Sequence, residues 1–195
     1  TSNNGPVCEG RTLELNTDTI PFAKYFWTGP NGFTDTLQNP VIDSTNTLHA
    51  GTYEVTATSL MGCVSLPTTT DVIIKPLPSK PEVKDSIINV CEEMSLNLNA
   101  TLPLTNATFN WKGPNGFTSA IPDPVVDNMT LAKGGNYQVK ATVDGCEGPP
   151  SNVMVYVHFN PRVDMGKDTD LCKGDVKILD PGLFDSYMWQ DGSQD

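Results

Sequence analysis

The residues of this 195-residue chain best suited to chemistry are five cysteines, and their spacing narrows what that chemistry is. Cys8, Cys91 and Cys172 each follow an aliphatic residue and precede a charged one, whereas Cys63 and Cys146 each follow a glycine. Cys8 to Cys91 and Cys63 to Cys146 are both 83 positions. No Cys-x-x-Cys pair and no cluster of histidines accompanies them, so the thiols lack the company a four-ligand metal site needs. A catalytic cysteine is indicated even less. Structural disulfides remain, and they place the chain in an oxidising, extracytoplasmic setting.

The other reactive groups add little. Asp164, Asp168 and Asp170 are close in sequence but lack the glycine turn and terminal glutamate of a calcium loop. No cofactor is therefore expected, with weak calcium binding by loop carboxylates as the alternative. His49 and His158 do not occupy equivalent places in a repeat, and there is no Gly-x-Ser-x-Gly, phosphate loop or paired-carboxylate set. The chain reads as a non-enzyme. Its net charge of −11, with only 12 Lys and Arg in total and none clustered, speaks against nucleic acid. Acidity of this kind keeps an exposed surface soluble and self-repelling, and favours a monomer. No stretch approaches the roughly 18 apolar residues of a membrane span, so direct membrane insertion is not expected.

The cysteines are positioned by an internal repeat. Trp27-Thr-Gly-Pro-Asn-Gly-Phe33-Thr34 returns as Trp111-Lys-Gly-Pro-Asn-Gly-Phe117-Thr118, 84 positions on. A third copy opens at Leu171-Cys172-Lys-Gly174 and reaches Tyr187-Met-Trp189-Gln-Asp-Gly192. The expected organisation is unit one over 1–76, unit two over 77–160, and the front of unit three over 161–195. The chain opens without Met and stops inside unit three, as expected of a mature or excised piece of a longer protein. From Arg162 onward it is not expected to be stable alone.

Each unit reads as all-β. Sixteen Pro, sixteen Gly and alternating segments such as Leu13-Glu-Leu15, Tyr53-Glu-Val55 and Tyr137-Gln-Val139 argue for strands over helices. Trp27 ends a strand at a Gly-Pro-Asn-Gly turn, with Pro presetting φ and Asn or Gly accepting φ > 0. Trp27 and Trp111 are read as core, each covered by Phe33 or Phe117; an exposed sugar-binding platform is the alternative. Leu48-His-Ala-Gly-Thr-Tyr53 and Leu131-Ala-Lys-Gly-Gly-Asn-Tyr137 follow the tyrosine-corner pattern of immunoglobulin-like sandwiches. Trp27 then lies on strand C and Tyr53 on strand F, with Leu15 and Val55 at the inward places of the antibody disulfide. The expected fold is a tandem of immunoglobulin-like β-sandwich repeats joined by short proline-containing linkers. Lys75-Pro-Leu-Pro-Ser-Lys-Pro81 reads as an extended, semi-rigid spacer.

Two disulfide schemes are open. The favoured one joins Cys8 to Cys63 and Cys91 to Cys146, lets each unit fold alone, and stabilises each by roughly 4 kcal/mol in the chain-entropy model. Cys172 is then unpaired because the rest of its unit is absent. The other joins neighbours, Cys8 to Cys146, because in immunoglobulin order the entry to strand B and the F–G hairpin lie at opposite ends of a sandwich, roughly 25 Å apart.

Pro6-Val-Cys-Glu-Gly10, the Trp27 motif, Ala50-Gly-Thr-Tyr-Glu-Val-Thr56 and Gly62-Cys63 together resemble the immunoglobulin-like or PKD-like repeats of large Bacteroidota surface proteins. Those include gliding-motility adhesins exported by the type 9 secretion system. The resemblance implies an extracellular, cell-surface stalk or filament whose partners are neighbouring repeats and surface glycans or proteins. It also implies O-glycosylation at Asp-(Ser/Thr)-x sites, here Thr19, Thr36, Ser44 and Ser86. Competing readings are a glycan- or protein-binding module using Phe33, Phe117 or the segment 34–43, and an accessory region of a secreted enzyme.

Overall fold

A computed structural model of the chain describes residues 1–164, 167–180, 182, 183, 186 and 188–190. Unit one is a two-sheet sandwich. One sheet is Ser2–Asn3, Leu13–Asn16 and Val41–Ile42, with Leu13–Asn16 central. The other runs Thr34–Asp35, Lys24–Thr28, Gly51–Thr58 and Thr68–Val72, all antiparallel. The last strand resumes at Ile74–Lys75, where Val7–Cys8 pairs with it in parallel. In immunoglobulin terms the sheets are A-B-E and A′-G-F-C-C′, so the fold is an immunoglobulin-like β-sandwich.

Unit two repeats this order. Glu82–Val83 and Val125–Val126 flank the broken strand formed by Leu96–Asn97 and Ala100–Thr101. Ile87–Cys91 runs parallel to Ser151–His158, followed by Gly135–Val143, Thr108–Lys112 and Thr118–Ser119. Among the described residues none beyond His158 lies in a strand. The opening of the third copy nonetheless keeps one local feature: Asp175 N donates to Cys172 O, as Arg11 N does to Cys8 O and Met94 N to Cys91 O. Tyr187, Asp191 and Gly192 of its aromatic motif fall outside the described residues.

Alternation builds a separate core in each unit. Leu13, Leu15, Tyr25, Trp27, Tyr53, Val55, Val72 and Ile74 form the first. Leu96, Leu98, Ala100, Trp111, Met129, Tyr137, Val139, Val153 and Val155 are in the second, with Val126. Both tryptophans are fully buried, and the indole N–H donates to Gln38 O in one unit and Pro122 O in the other, 3.2 Å each. Such a bond is needed because a buried indole N–H without a partner is costly.

The tyrosine corner is present twice. Tyr53 Oη donates to His49 O at 3.0 Å and Tyr137 Oη to Lys133 O at 2.8 Å. Phe33 and Phe117 meet these rings edge-on, with centroids 5.4 Å apart. Burial raises both phenol pKa values. A phenol that keeps its proton longer folded than unfolded adds stability below pH about 10, and that stability is lost as pH rises further. Tyr53→Phe and Tyr137→Phe should each cost about 1 kcal/mol and flatten the loss of stability above about pH 10 in a denaturant series. An unchanged alkaline slope in the double variant would contradict this.

The Gly-Pro-Asn-Gly turn has a sharper requirement than turn propensity. Asn31 and Gly32 are both left-handed, at φ 55° and 71°. Gly29 is extended, and there the constraint is space: a Cβ on it would run into the ring of Tyr53, and one on Gly113 would lie 2.5 Å from Tyr137 Cδ1. Neither ring can retreat, since each is fully buried. Gly29→Ala should therefore destabilise unit one by about 1–3 kcal/mol, as overpacking does. Equal loss from Gly32→Ala would instead point to the turn's φ as the dominant constraint.

Candidate functional site

The chemistry-bearing residues converge on the joint between the two units. Cys8 ends the short strand paired with Ile74–Lys75, at the far end of unit one from its F–G hairpin. Cys146 begins the return of the F–G hairpin of unit two, opposite Val143. Between them Asp144 and Gly145 make a two-residue turn with φ of 50° and 85°, the double left-handed geometry that Asp-Gly supplies in tight hairpins. This hairpin reaches back to unit one, and Cys8 and Cys146 are joined in a disulfide with Cα atoms 5.6 Å apart.

The favoured within-unit scheme is thus corrected. Cys63, Cys91 and Cys172 are exposed free thiols. The reason is strand length. Cys63 follows the hairpin at the end where Thr58 bridges Val64, whereas Cys8 sits beside Lys75. From Thr68 to Lys75 the last strand runs seven residues, about 23 Å at 3.3 Å per residue, and a disulfide spans Cα atoms only about 4.4–6.8 Å apart. At least the same distance separates Cys91, paired with His158, from Cys146, which pairs with Val143 beyond the Ser151 end of that strand.

Other contacts hold the joint. Lys75 Nζ donates to Asp144 O at 2.8 Å. Lys140 and Glu147 form a 2.5 Å ion pair beside the disulfide. Its hydrogen bond from Lys140 holds the Glu147 carboxyl below the usual range, helped by the charges of Lys140, Lys112 and, from unit one, Arg11. Glu147 is exposed, so this pair is screened and worth little. The linker is not a free spacer. Pro78 and Pro81 are buried, Pro78 lies against Gly148, and Ser151 Oγ donates to Pro81 O at 2.5 Å.

The remaining sequence candidates are dispersed. Thr19, Thr36, Ser44 and Ser86 are all exposed, on different parts of the two units, and Thr19 Oγ1 accepts from Gln38 Nε2. Phe33 and Phe117 are only partly exposed, each against its tyrosine. The segment 34–43 is pinned at both ends, as edge strand Thr34–Asp35 and strand Val41–Ile42. His49 Nδ1 accepts from Asn46 N, and His158 Nε2 bonds Asn89 Oδ1. Asp168 and Asp170 are exposed, and among the described residues no three His, Cys, Asp or Glu come together to hold a metal. No helix among them is long and apolar enough to cross a membrane.

No family model and no curated protein matches the chain. Among solved structures it is similar to murine CEACAM1b, at 12% identity over 80% of this chain and 98% of that one, with a TM-score of 0.38. It is also similar to the N-terminal four Ig domains of Dscam1 isoform 8.4, at 11% identity over 81% of this chain and 43% of that one, TM-score 0.36. A third similarity is to titin domains z1z2 in complex with telethonin, at 16% identity over 80% and 92% of the chains, TM-score 0.34.

Proposed function

We propose that this chain is a non-catalytic structural segment of a bacterial cell-surface adhesin, a stalk whose successive immunoglobulin-like units are stapled to one another. The observation behind it is the Cys8–Cys146 disulfide, which spends its covalent link on the joint and leaves each core to hydrophobic packing. The repeat motifs, resembling those of Bacteroidota surface proteins, support the adhesin assignment. A non-catalytic role is supported by what Tyr53, Tyr137 and Glu147 do: the two phenols are raised by burial as corners and the carboxyl is lowered by its hydrogen bond from Lys140, each a structural reason. Thr19, Thr36, Ser44 and Ser86, all exposed, are the proposed O-glycan acceptors.

A staple of this kind has a mechanical consequence. Force applied at the two ends passes through the disulfide and bypasses the 138 positions between Cys8 and Cys146. At about 3.6 Å per extended residue, roughly 500 Å of chain is hidden from extension. Single-molecule stretching of the full chain should release that length only in the presence of reductant. Release of the same length from the oxidised chain would overturn the stalk reading.

A further inference from the structure

We propose that the Cys91 end of unit two is a second receiving site of the same design, and that its partner is the F–G hairpin cysteine of the immunoglobulin-like unit that follows on the same chain. Its basis is the stapled-stalk reading, which it extends by one joint. The closed joint supplies the pattern, and the backbone around Cys91 reproduces it bond for bond. Val90 and Cys91 run parallel to Val157 and His158 as Val7 and Cys8 run parallel to Ile74 and Lys75. Glu92 N donates to His158 O and Glu93 N to Met129 O, matching Glu9 N to Lys75 O and Gly10 N to Thr45 O. In this setting Cys8 holds a disulfide, whereas Cys91 is an exposed free thiol.

The chain leaving unit two is laid for such a joint. Pro78, three residues past Lys75, is buried against Gly148, which stands two residues past Cys146. Pro161 likewise stands three residues past His158, and Asn160 Nδ2 donates to Glu92 O at 2.9 Å, which ties the exit of unit two beside Cys91. Further on, Asp175 N donates to Cys172 O, the turn that follows the receiving cysteine in units one and two. A unit entered from Pro161 in the register of unit two brings its own hairpin back to Cys91. Met94 and Phe159 take the places of Arg11 and Pro76 at this end, 60% and 69% exposed, and covering them adds apolar burial to the staple.

The bond forms by ordinary exchange. The hairpin thiolate attacks oxidised glutathione and expels one glutathione thiolate. The Cys91 thiolate then attacks the protein sulfur of the mixed disulfide and expels the other. Two protein thiols become one disulfide, and the glutathione disulfide becomes two thiols that take up the two protons.

A chain of residues 1–161 followed by a second copy of residues 79–160 tests this, because unit two has a core of its own and the linker length is kept. In the copy, Cys91→Ser leaves a single receiving cysteine to be filled, and Pro150→Ala, at an exposed position, marks the peptide that carries its Cys146. The chain is equilibrated in glutathione redox buffers, alkylated and mapped without reduction, and hydrogen exchange across Gly135–Val143 of the copy reports that it is folded. The expected result is Cys91 linked to the marked Cys146 within the monomer, at a glutathione ratio within about tenfold of the one that closes Cys8–Cys146. With Cys8–Cys146 closed, a Cys91 that stays alkylated, pairs with Cys63 or links two chains would overturn this proposal alone. So would a copy that stays unprotected, since the site is proposed to take an intact unit. Loss of Cys8–Cys146 itself would overturn the first joint as well.

Discussion

Cys8→Ser should cost the oxidised chain up to about 5 kcal/mol, the chain-entropy value for a link spanning 138 positions. For a chain of this length that corresponds to roughly 10–20 °C in melting temperature. Cys146→Ser should do the same, and the double variant should cost no more than either single one, because both remove one bond. Cys63→Ser and Cys91→Ser are the informative controls. Each removes an exposed free thiol and should stay within about 0.5 kcal/mol of the parent. Were the pairing within units, Cys63→Ser would be as damaging as Cys8→Ser, so four melting curves distinguish the schemes.

Trp27→Ala should destabilise unit one by about 3–5 kcal/mol, the usual range for removing a buried aromatic. The indole is fully buried, and its loss also leaves Gln38 O without its donor. A unit of about 76 residues has only some 4–11 kcal/mol of stability, so the change removes much or all of it. Unit two has its own core around Trp111 and Tyr137 and should survive. Hydrogen exchange would then show protection lost across Gly51–Thr58 and kept across Gly135–Val143. Loss of protection in both strands would mean that the units do not fold independently.

Much of the fold could be read from local pattern. The burial of Trp27 and Tyr53, the inward placing of Leu15 and of Val55 and the left-handed Asn31-Gly32 turn each follow from residues within a few positions along the chain. Pairings between distant segments were less legible. Pro6-Val-Cys-Glu-Gly10 carries no alternating pattern of its own, yet Val7–Cys8 is a strand because it pairs in parallel with Ile74–Lys75. That register is what carries Cys8 to the end of unit one facing the next unit. Neither the 83-residue cysteine period nor the loop lengths contain it. The choice between the two disulfide schemes therefore turned on strand ends, which sequence marks poorly.

Two other features hid behind plausible local readings. Gly29 looks like a turn glycine but is required by the ring of Tyr53, 24 positions away. Lys75–Pro81 looks like a solvated spacer, but Pro78 and Pro81 are buried against unit two, where Ser151 and Gly148 receive them. In both cases the partner is distant in sequence, and only packing reveals it.

The central claim is the covalent joint between units, and non-reducing peptide mapping of the alkylated native chain tests it most directly. The expected result is one cross-linked species joining the Cys8 and Cys146 peptides, with alkylated Cys63, Cys91 and Cys172 in the monomer. Recovery of Cys8 linked to Cys63, together with Cys91 linked to Cys146, would contradict the joint and return each unit to a self-contained fold.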